Sequence, residues 1–314
     1  MTQPAAIGVL LMAYGSPNSP EDVEPYYTHI RGGRRPMPEA IEGLRERYKK
    51  IGGRSPLLEI TRSQARALEE RLNATGQRFR VYIGMKHWHP FIAETVHQMA
   101  ADGIGRAVAL ALAPHYSRMS IGSYIEAVQA ACQGLQAPIE FSFIESWNDH
   151  PLFLRAVAEK IERALLQLPA QERPQVPVVF TAHSLPERIL SGGDPYPQEL
   201  QETCQLLVRQ LGITHWRFAY QSAGHTSEKW LGPDVKDMLL QLAGEQHRRI
   251  LICPIGFVSD HLEVLYDIDV ECVELAQSKG LQIMRTESLN ASPAFIEALE
   301  VLALERLGLL EYDR

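Results

Sequence analysis

The sequence predicts an α/β protein of two similar Rossmann-like domains, each a doubly wound parallel sheet, flanking a cleft. Three observations lead there. Apolar runs of strand length alternate along the chain with longer runs of helical spacing. The interval LPAQERPQVP, 168–177, is rich in proline and polar residues and reads as a linker. The second half then echoes the first in the same order. A chain of 314 residues also suits two domains at about 100–200 residues each. The domains are drawn as 1–167, joined by the C-terminal helix 293–314, and 168–292.

In chain order, residues 7–13 are an apolar strand; no basic segment precedes them and no cleavage signature follows, so they do not read as a signal peptide. Residues 38–50 and 63–75 have helical spacing and many charges. Strand 79–85 precedes helix 91–102, strand 107–113 precedes helix 121–134, and strand 140–145 precedes helix 151–167. After the linker come strand 178–182, helix 197–211, strand 216–221 and helix 235–244. Strand 250–255, helix 261–278, strand 282–285 and helix 293–307 complete the chain. Such alternation means parallel sheets covered on both faces.

The echo is specific. GVLLMAYGSP, 8–17, matches PVVFTAHSLP, 177–186, and aligns Tyr14 with His183. ALALAPHYSRMSIGSYIEA, 109–127, matches ILICPIGFVSDHLEVLYDI, 250–268. Each of the second pair is a strand, a proline, a loop and a helix. Ligands of such sheets bind beyond the carboxyl ends of the strands. Tyr14, His183 and the loops after Pro114 and Pro254 are therefore expected around one cleft.

The stretch from Arg249 to Leu275 carries the densest chemistry. Asp260 or Ser259 can cap a helix starting near His261. Glu263, Asp267 and Glu271 are spaced i, i+4, i+8, drifting about 40° per step along one face of an α-helix. Like charges on one stripe repel unless a cation visits it. The competing reading is a solvated acidic face. His183 ends a strand, where a neutral imidazole facing a carboxylate can hold a divalent cation or accept protons near neutral pH. A satisfied structural histidine is its alternative. His87 and His89 follow a strand and could bind a metal, against the competing reading of loop residues with solvated rings; His115 could line the cleft, and His225 reads as a loop residue. Arg31, Arg34 and Arg35 surround two glycines, and Arg47, Tyr48 and Ser55 follow. Such arginines suit carboxylates or phosphates, or form an ordinary basic surface.

Composition narrows the classes. Net charge is −7, against broad nucleic-acid binding. The four cysteines form no C-x-x-C pair and read as buried free thiols of a cytoplasmic protein. No apolar run approaches membrane-spanning length. Phosphate-loop, dinucleotide-turn and serine-elbow motifs are absent.

HSLPERI, GDPYP, YQSAGHTSEKWLGPDV and PIGFVSDHLEVLYDIDVEC resemble the signature segments of ferrochelatases. MAYGSP and YYTHIRGGR are similar to the soluble bacterial branch that acts on coproporphyrin III. The likeness runs in order from about residue 7 to residue 307. It implies a chelatase-like fold and insertion of Fe²⁺, a substrate, into a porphyrin in haem biosynthesis, with no organic cofactor. His183 and Glu263 would be metal ligands and proton acceptors. Tyr14 would be the axial ligand of the product. Arg31, Arg47, Tyr48, Ser55 and Tyr124 would contact the porphyrin. Asp267 and Glu271 would extend the metal route as a secondary divalent-cation site. The chain lacks a cysteine-rich C-terminal extension, so no iron–sulfur cluster is expected. The resemblance suggests a monomer, with room for a transient iron donor or haem acceptor. Protoporphyrin IX insertion, another tetrapyrrole chelatase, or a non-catalytic haem or porphyrin carrier are the alternatives.

Overall fold

The computed structural model describes residues 6–224 and 226–312; His225 lies outside them. The chain forms two compact units, one of residues up to Trp147 with those from Asn290 onward, the other Asn148–Leu289.

The first unit runs β1 (Ile7–Ala13), α1 (Val23–Ile30), α2 (Pro38–Lys50), α3 (Leu57–Ala74), β2 (Phe79–Met85), α4 (Ile92–Ala101), β3 (Arg106–Ala111), α5 (Ser123–Cys132) and β4 (Glu140–Ile144). Its sheet is parallel, ordered β2-β1-β3-β4. Leu10 and Met12 of β1 and Ala107, Ala109 and Ala111 of β3 pack against Val96 and Met99 of α4 and Val128 of α5. Alternation within each strand turns Val9, Leu11, Val108 and Leu110 to the other face, and these too are fully buried. Helix α1 and the start of α3 at Leu57 were not marked by the helical spacing. A proline at the third position of VEPYYTHI hides the first, because the missing N–H is harmless only in a first turn.

The second unit runs α6 (Pro151–Leu166), β5 (Val178–His183), α7 (Tyr196–Leu211), β6 (Trp216–Gln221), α8 (Val235–Gly244), β7 (Arg249–Cys253), α9 (Leu262–Leu265), α10 (Val273–Ser278) and β8 (Gln282–Arg285). The order β6-β5-β7-β8 repeats that of the first unit, strand for strand, again in parallel. Tyr14 and His183 thus stand at the carboxyl ends of equivalent strands. Val179, Ile250 and Ile252 bury against Leu239 and Leu242 of α8 and against Ile268, Cys272 and Ala276. Helices α6 and α7 pack on one another and on β7 and β6. Helix α6 groups with this unit, whereas the sequence places the boundary after residue 167. Helix α11 (Pro293–Arg306) belongs to the first unit, where Arg71 of α3 meets its Glu300 at 2.6 Å.

The expected helix 261–278 is not one α-helix. It begins at Leu262 with one α turn, widens to π geometry over Asp267–Cys272 and returns to α in α10. The Glu271 N–H donates to the Tyr266 carbonyl, five residues back, at 3.0 Å. Neither Ser259 nor Asp260 caps it; His261 stands at the cap position and makes no side-chain cap bond. Asp260 accepts instead from the Ser288 hydroxyl at 2.7 Å and faces Arg285 at 3.4 Å.

Candidate functional site

In the second unit, parallel pairing places His183 directly beside Gln221 at the ends of β5 and β6. The Tyr196 hydroxyl donates to the His183 carbonyl at 2.9 Å, and the Ser184 N–H donates to the Gln221 carbonyl at 2.8 Å. The backbone around the imidazole is therefore held from two sides. The ring is held as well. Its Nδ1–H donates to the Ser184 carbonyl, so Nε2 is the atom that points away. Trp230 and Phe257 flank it at ring-centroid distances of 6.4 and 6.5 Å.

Glu263 of α9 faces that Nε2. Its Oε1 lies 3.5 Å from His183 Nε2, and its Oε2 lies 3.7 Å from His261 Nε2. One carboxylate thus bridges two imidazoles. Burial opposes charge on His183, but Glu263 beside it outweighs that cost, with help from the Ser184 carbonyl and Asp267, and raises the imidazole to about 9. Burial likewise opposes charge on Glu263, and the two histidines overcome it and hold the carboxyl far below its ordinary range. The pair is an imidazolium–carboxylate at neutral pH, each side chain about one-third exposed.

The remaining two acids have partners of their own. Asp267 is buried and accepts from the Ser222 hydroxyl. Glu271 pairs with Lys236 of α8 at 2.9 Å. The π widening breaks the even α-helical drift assumed from the spacing, and each acid meets its own partner. Among the described residues no three His, Cys, Asp or Glu side chains form a metal-holding group.

In the first unit, Tyr14 is 43% exposed and its ring packs on His87 at 4.5 Å. Here the structure departs from a solvated loop: His87 is half-buried, and its Nδ1 lies 3.2 Å from that of His29. Burial, with Lys86 and His29 adding, pushes His87 down to about 3, so it is neutral. His89 is exposed and bonds Glu94 at 3.0 Å, while His115 is buried. Tyr124 is buried beneath Lys86, whose ammonium sits 5.3 Å from the ring centroid and bonds the Ser123 hydroxyl. Arg31 is exposed, its guanidinium 5.9 Å from the Tyr27 ring, and Arg35 pairs with Glu24 at 2.7 Å. Arg47 is half-buried in the last turn of α2. Tyr48 and Ser55 are buried, and the Ser55 hydroxyl accepts from the Leu57 N–H at the start of α3.

Sequence patterns did not single out Tyr196, Gln221, Ser222 or Lys86. GDPYP and YQSAG are distinctive as segments, but which of their side chains reaches the site depends on strand register.

A family model described as Ferrochelatase matches residues 6–307. Ferrochelatase of Herpetosiphon aurantiacus is 48% identical over 299 residues, covering 95% of this chain and 98% of the relative. Coproporphyrin III ferrochelatase of Geobacillus thermodenitrificans is 47% identical, covering 96% of each, and that of Bacillus subtilis is 42% identical, covering 96% and 98%. Among solved structures, the sirohydrochlorin chelatase SirB from Bacillus subtilis subspecies spizizenii in complex with cobalt superposes with a TM-score of 0.57 at 12% identity, covering 98% of this chain and all of that one. The last likeness is one of fold.

Proposed function

The chain belongs to the ferrochelatase family, and from that premise we propose that it inserts Fe²⁺ into coproporphyrin III in haem biosynthesis, with His183 and Glu263 at the point of metal entry and proton exit. The observation that carries the residue assignment is the held imidazole: with Nδ1–H committed to a carbonyl, Nε2 and the Glu263 carboxylate face one another at the end of a sheet.

Metalation of a free-base porphyrin releases two inner N–H protons and requires a partly desolvated cation. His183 enters as an imidazolium. Once its Nε2 proton leaves, the freed lone pair can hold iron or take a ring proton. Glu263 accepts the departing proton on the oxygen facing Nε2, and His261 beside its far oxygen offers the next proton site. Binding energy from ring and propionates can be spent on bending the macrocycle toward its metalated shape. Arg31 and Arg47 supply the positive charge for propionates. Tyr48, Ser55 and Tyr124, all buried before substrate enters, complete the proposed contact set. Tyr14 is the proposed axial ligand of the product. Asp267 and Glu271 are proposed to lead divalent cations toward the pair. The protein needs no organic cofactor and works as a cytoplasmic monomer, handing on product by transient contact with an acceptor. Among the described residues no helix is long and apolar enough to cross a membrane.

The test is anaerobic insertion, following the Soret and visible bands with Fe²⁺ and either coproporphyrin III or protoporphyrin IX. Faster turnover of coproporphyrin III is expected. Preference for protoporphyrin IX would overturn the substrate, and porphyrin binding without insertion of any divalent metal would overturn the reaction.

A further inference from the structure

Gln221 touches both halves of the His183–Glu263 pair without belonging to either. It is fully buried at the end of β6, in register with His183. Its backbone carbonyl accepts from the Ser184 N–H at 2.8 Å. Its side-chain amide makes three contacts, one of them a long bond from Nε2 to the Ser222 hydroxyl at 3.5 Å. Nε2 donates to the backbone carbonyl of Glu263 at 2.9 Å, and Oε1 accepts from the Thr181 hydroxyl at 2.7 Å. Thr181 is itself fully buried and stands two residues before His183 on β5. The Thr181 hydroxyl therefore orients the amide, because a flipped amide would set its NH₂ against the hydroxyl and its oxygen against a carbonyl.

The next residue extends the staple. Ser222 has a φ of 59°, the left-handed region that a non-glycine residue seldom occupies. In extended backbone Gln221 and Ser222 would point to opposite faces. The left-handed turn lets both reach the helix, Gln221 at Glu263 and Ser222 at the Asp267 carboxylate, one turn on. A residue held there against its own preference marks a position that the surroundings over-determine.

We infer that Gln221 is a positioning residue that sets the distance between His183 Nε2 and the Glu263 carboxylate. The inference rests on the iron-insertion reading above. Gln221 acts through the two segments it joins and contacts no reacting atom. Misplacement of a reacting pair by about 1 Å costs on the order of a hundredfold in rate, whereas binding of a ring held elsewhere is spared. The signature is thus a loss in kcat with porphyrin KM retained.

The experiment compares wild type, Gln221→Met, Gln221→Glu and Thr181→Val in anaerobic Fe²⁺ insertion, with porphyrin binding by fluorescence quenching and thermal melting alongside. Gln221→Met keeps the shape but loses the amide's hydrogen bonds. Gln221→Glu keeps the acceptor for Thr181 but, wherever its buried carboxyl is ionised, donates nothing to the Glu263 carbonyl, so its kcat is followed toward high pH. Expected is a fall in kcat of about 10- to 100-fold for both Gln221 variants, with porphyrin KM and Kd within about threefold of wild type. Thr181→Val, which only loosens the amide, is expected to fall less, and the double variant Thr181→Val/Gln221→Met to be no worse than Gln221→Met alone. Wild-type kcat in Gln221→Glu, or porphyrin Kd rising in step with the loss of kcat, would overturn the inference. If Gln221→Met fails to fold, undiminished kcat in Thr181→Val does the same. If wild type inserts no iron, the functional reading falls first, and crystal structures of wild type and Gln221→Glu then decide: an unchanged His183–Glu263 spacing overturns the inference and a widened one supports it.

Discussion

His183 Nε2 lies 3.5 Å from Glu263 Oε1, while its own Nδ1–H is committed to the Ser184 carbonyl. This pair contributes to stability as well as chemistry, and the sign follows from the two shifts. His183 is raised from 6.5 to about 9, so its contribution is full below about pH 6.5 and is lost as pH rises through 9. Glu263 is lowered, so its contribution is present above its ordinary 4.5 and is lost as pH falls toward its depressed value. The melting-temperature difference between wild type and His183→Ala is therefore expected to be widest between about pH 5 and 7 and to shrink by pH 10. A difference that stays constant from pH 6 to 10 would contradict the assigned charge state.

The same variant tests the chemistry. His183→Ala removes the group that holds iron or takes a proton but leaves the arginines and Tyr14 in place. Iron insertion is expected to fall below detection, with porphyrin binding within about tenfold of wild type. Glu263→Gln should lose at least about a hundredfold in kcat and bring the His183 imidazole back toward its ordinary range, because the charge that raises it is gone. Imidazole NMR shifts against pH read the second effect directly. Ordinary turnover in either variant would remove that residue from the proposed mechanism.

The placement of His183 and Glu263 was legible because it depends on coarse features: a strand end, a proline, a loop and a helix start, repeated in both halves. The repeated order of the two sheets has the same origin. Legibility stopped where a residue's role depends on register. Gln221 lies beside His183 only because β5 and β6 pair as they do, and Ser222 reaches Asp267 only through a left-handed turn. The π widening was hidden for a related reason. Acids at i, i+4 and i+8 read as an α stripe, and no residue in YDIDVEC announces a fifth-residue hydrogen bond. Lys86 follows β2 by one position, and its meeting with Ser123 and Tyr124 requires knowing that β1 lies between β2 and β3.

Gly256 gives a steric test of how closely the loop after β7 approaches β5. A Cβ added there would lie 2.7 Å from the Ala182 Cβ and 2.9 Å from the Ala182 Cα, beside His183. Both atoms belong to a buried strand that cannot easily retreat. Gly256→Ala is expected to cost about 1–3 kcal/mol in denaturant unfolding. It should also lower turnover, since the loop leads to His261 and Glu263. Gly192→Ala, where an added Cβ meets nothing within 4 Å, is the control and should stay within about 0.5 kcal/mol. Equal effects of the two substitutions would show that the approach is not tight.

Arg285 gives the last prediction, because it ties the end of β8 to two points around the carboxylate helix. Its guanidinium bonds both oxygens of Asp269, at 2.7 and 2.9 Å, and faces Asp260 at 3.4 Å. Asp260 precedes α9, and Asp269 lies inside the π segment, so one planar fork spans the stretch that contains Glu263 and Asp267. Its side chain is only 15% exposed, and removing it would leave two carboxylates facing each other across a partly buried space. Arg285→Met is expected to cost about 2–4 kcal/mol. Arg285→Lys should recover only part of that, because an ammonium cannot reproduce the two-pronged contact with Asp269. Denaturant unfolding measures both. If lysine restores full stability, the contact is a matter of net charge. If it restores stability but not turnover, the fork geometry matters to the helix that carries Glu263 and not to the fold.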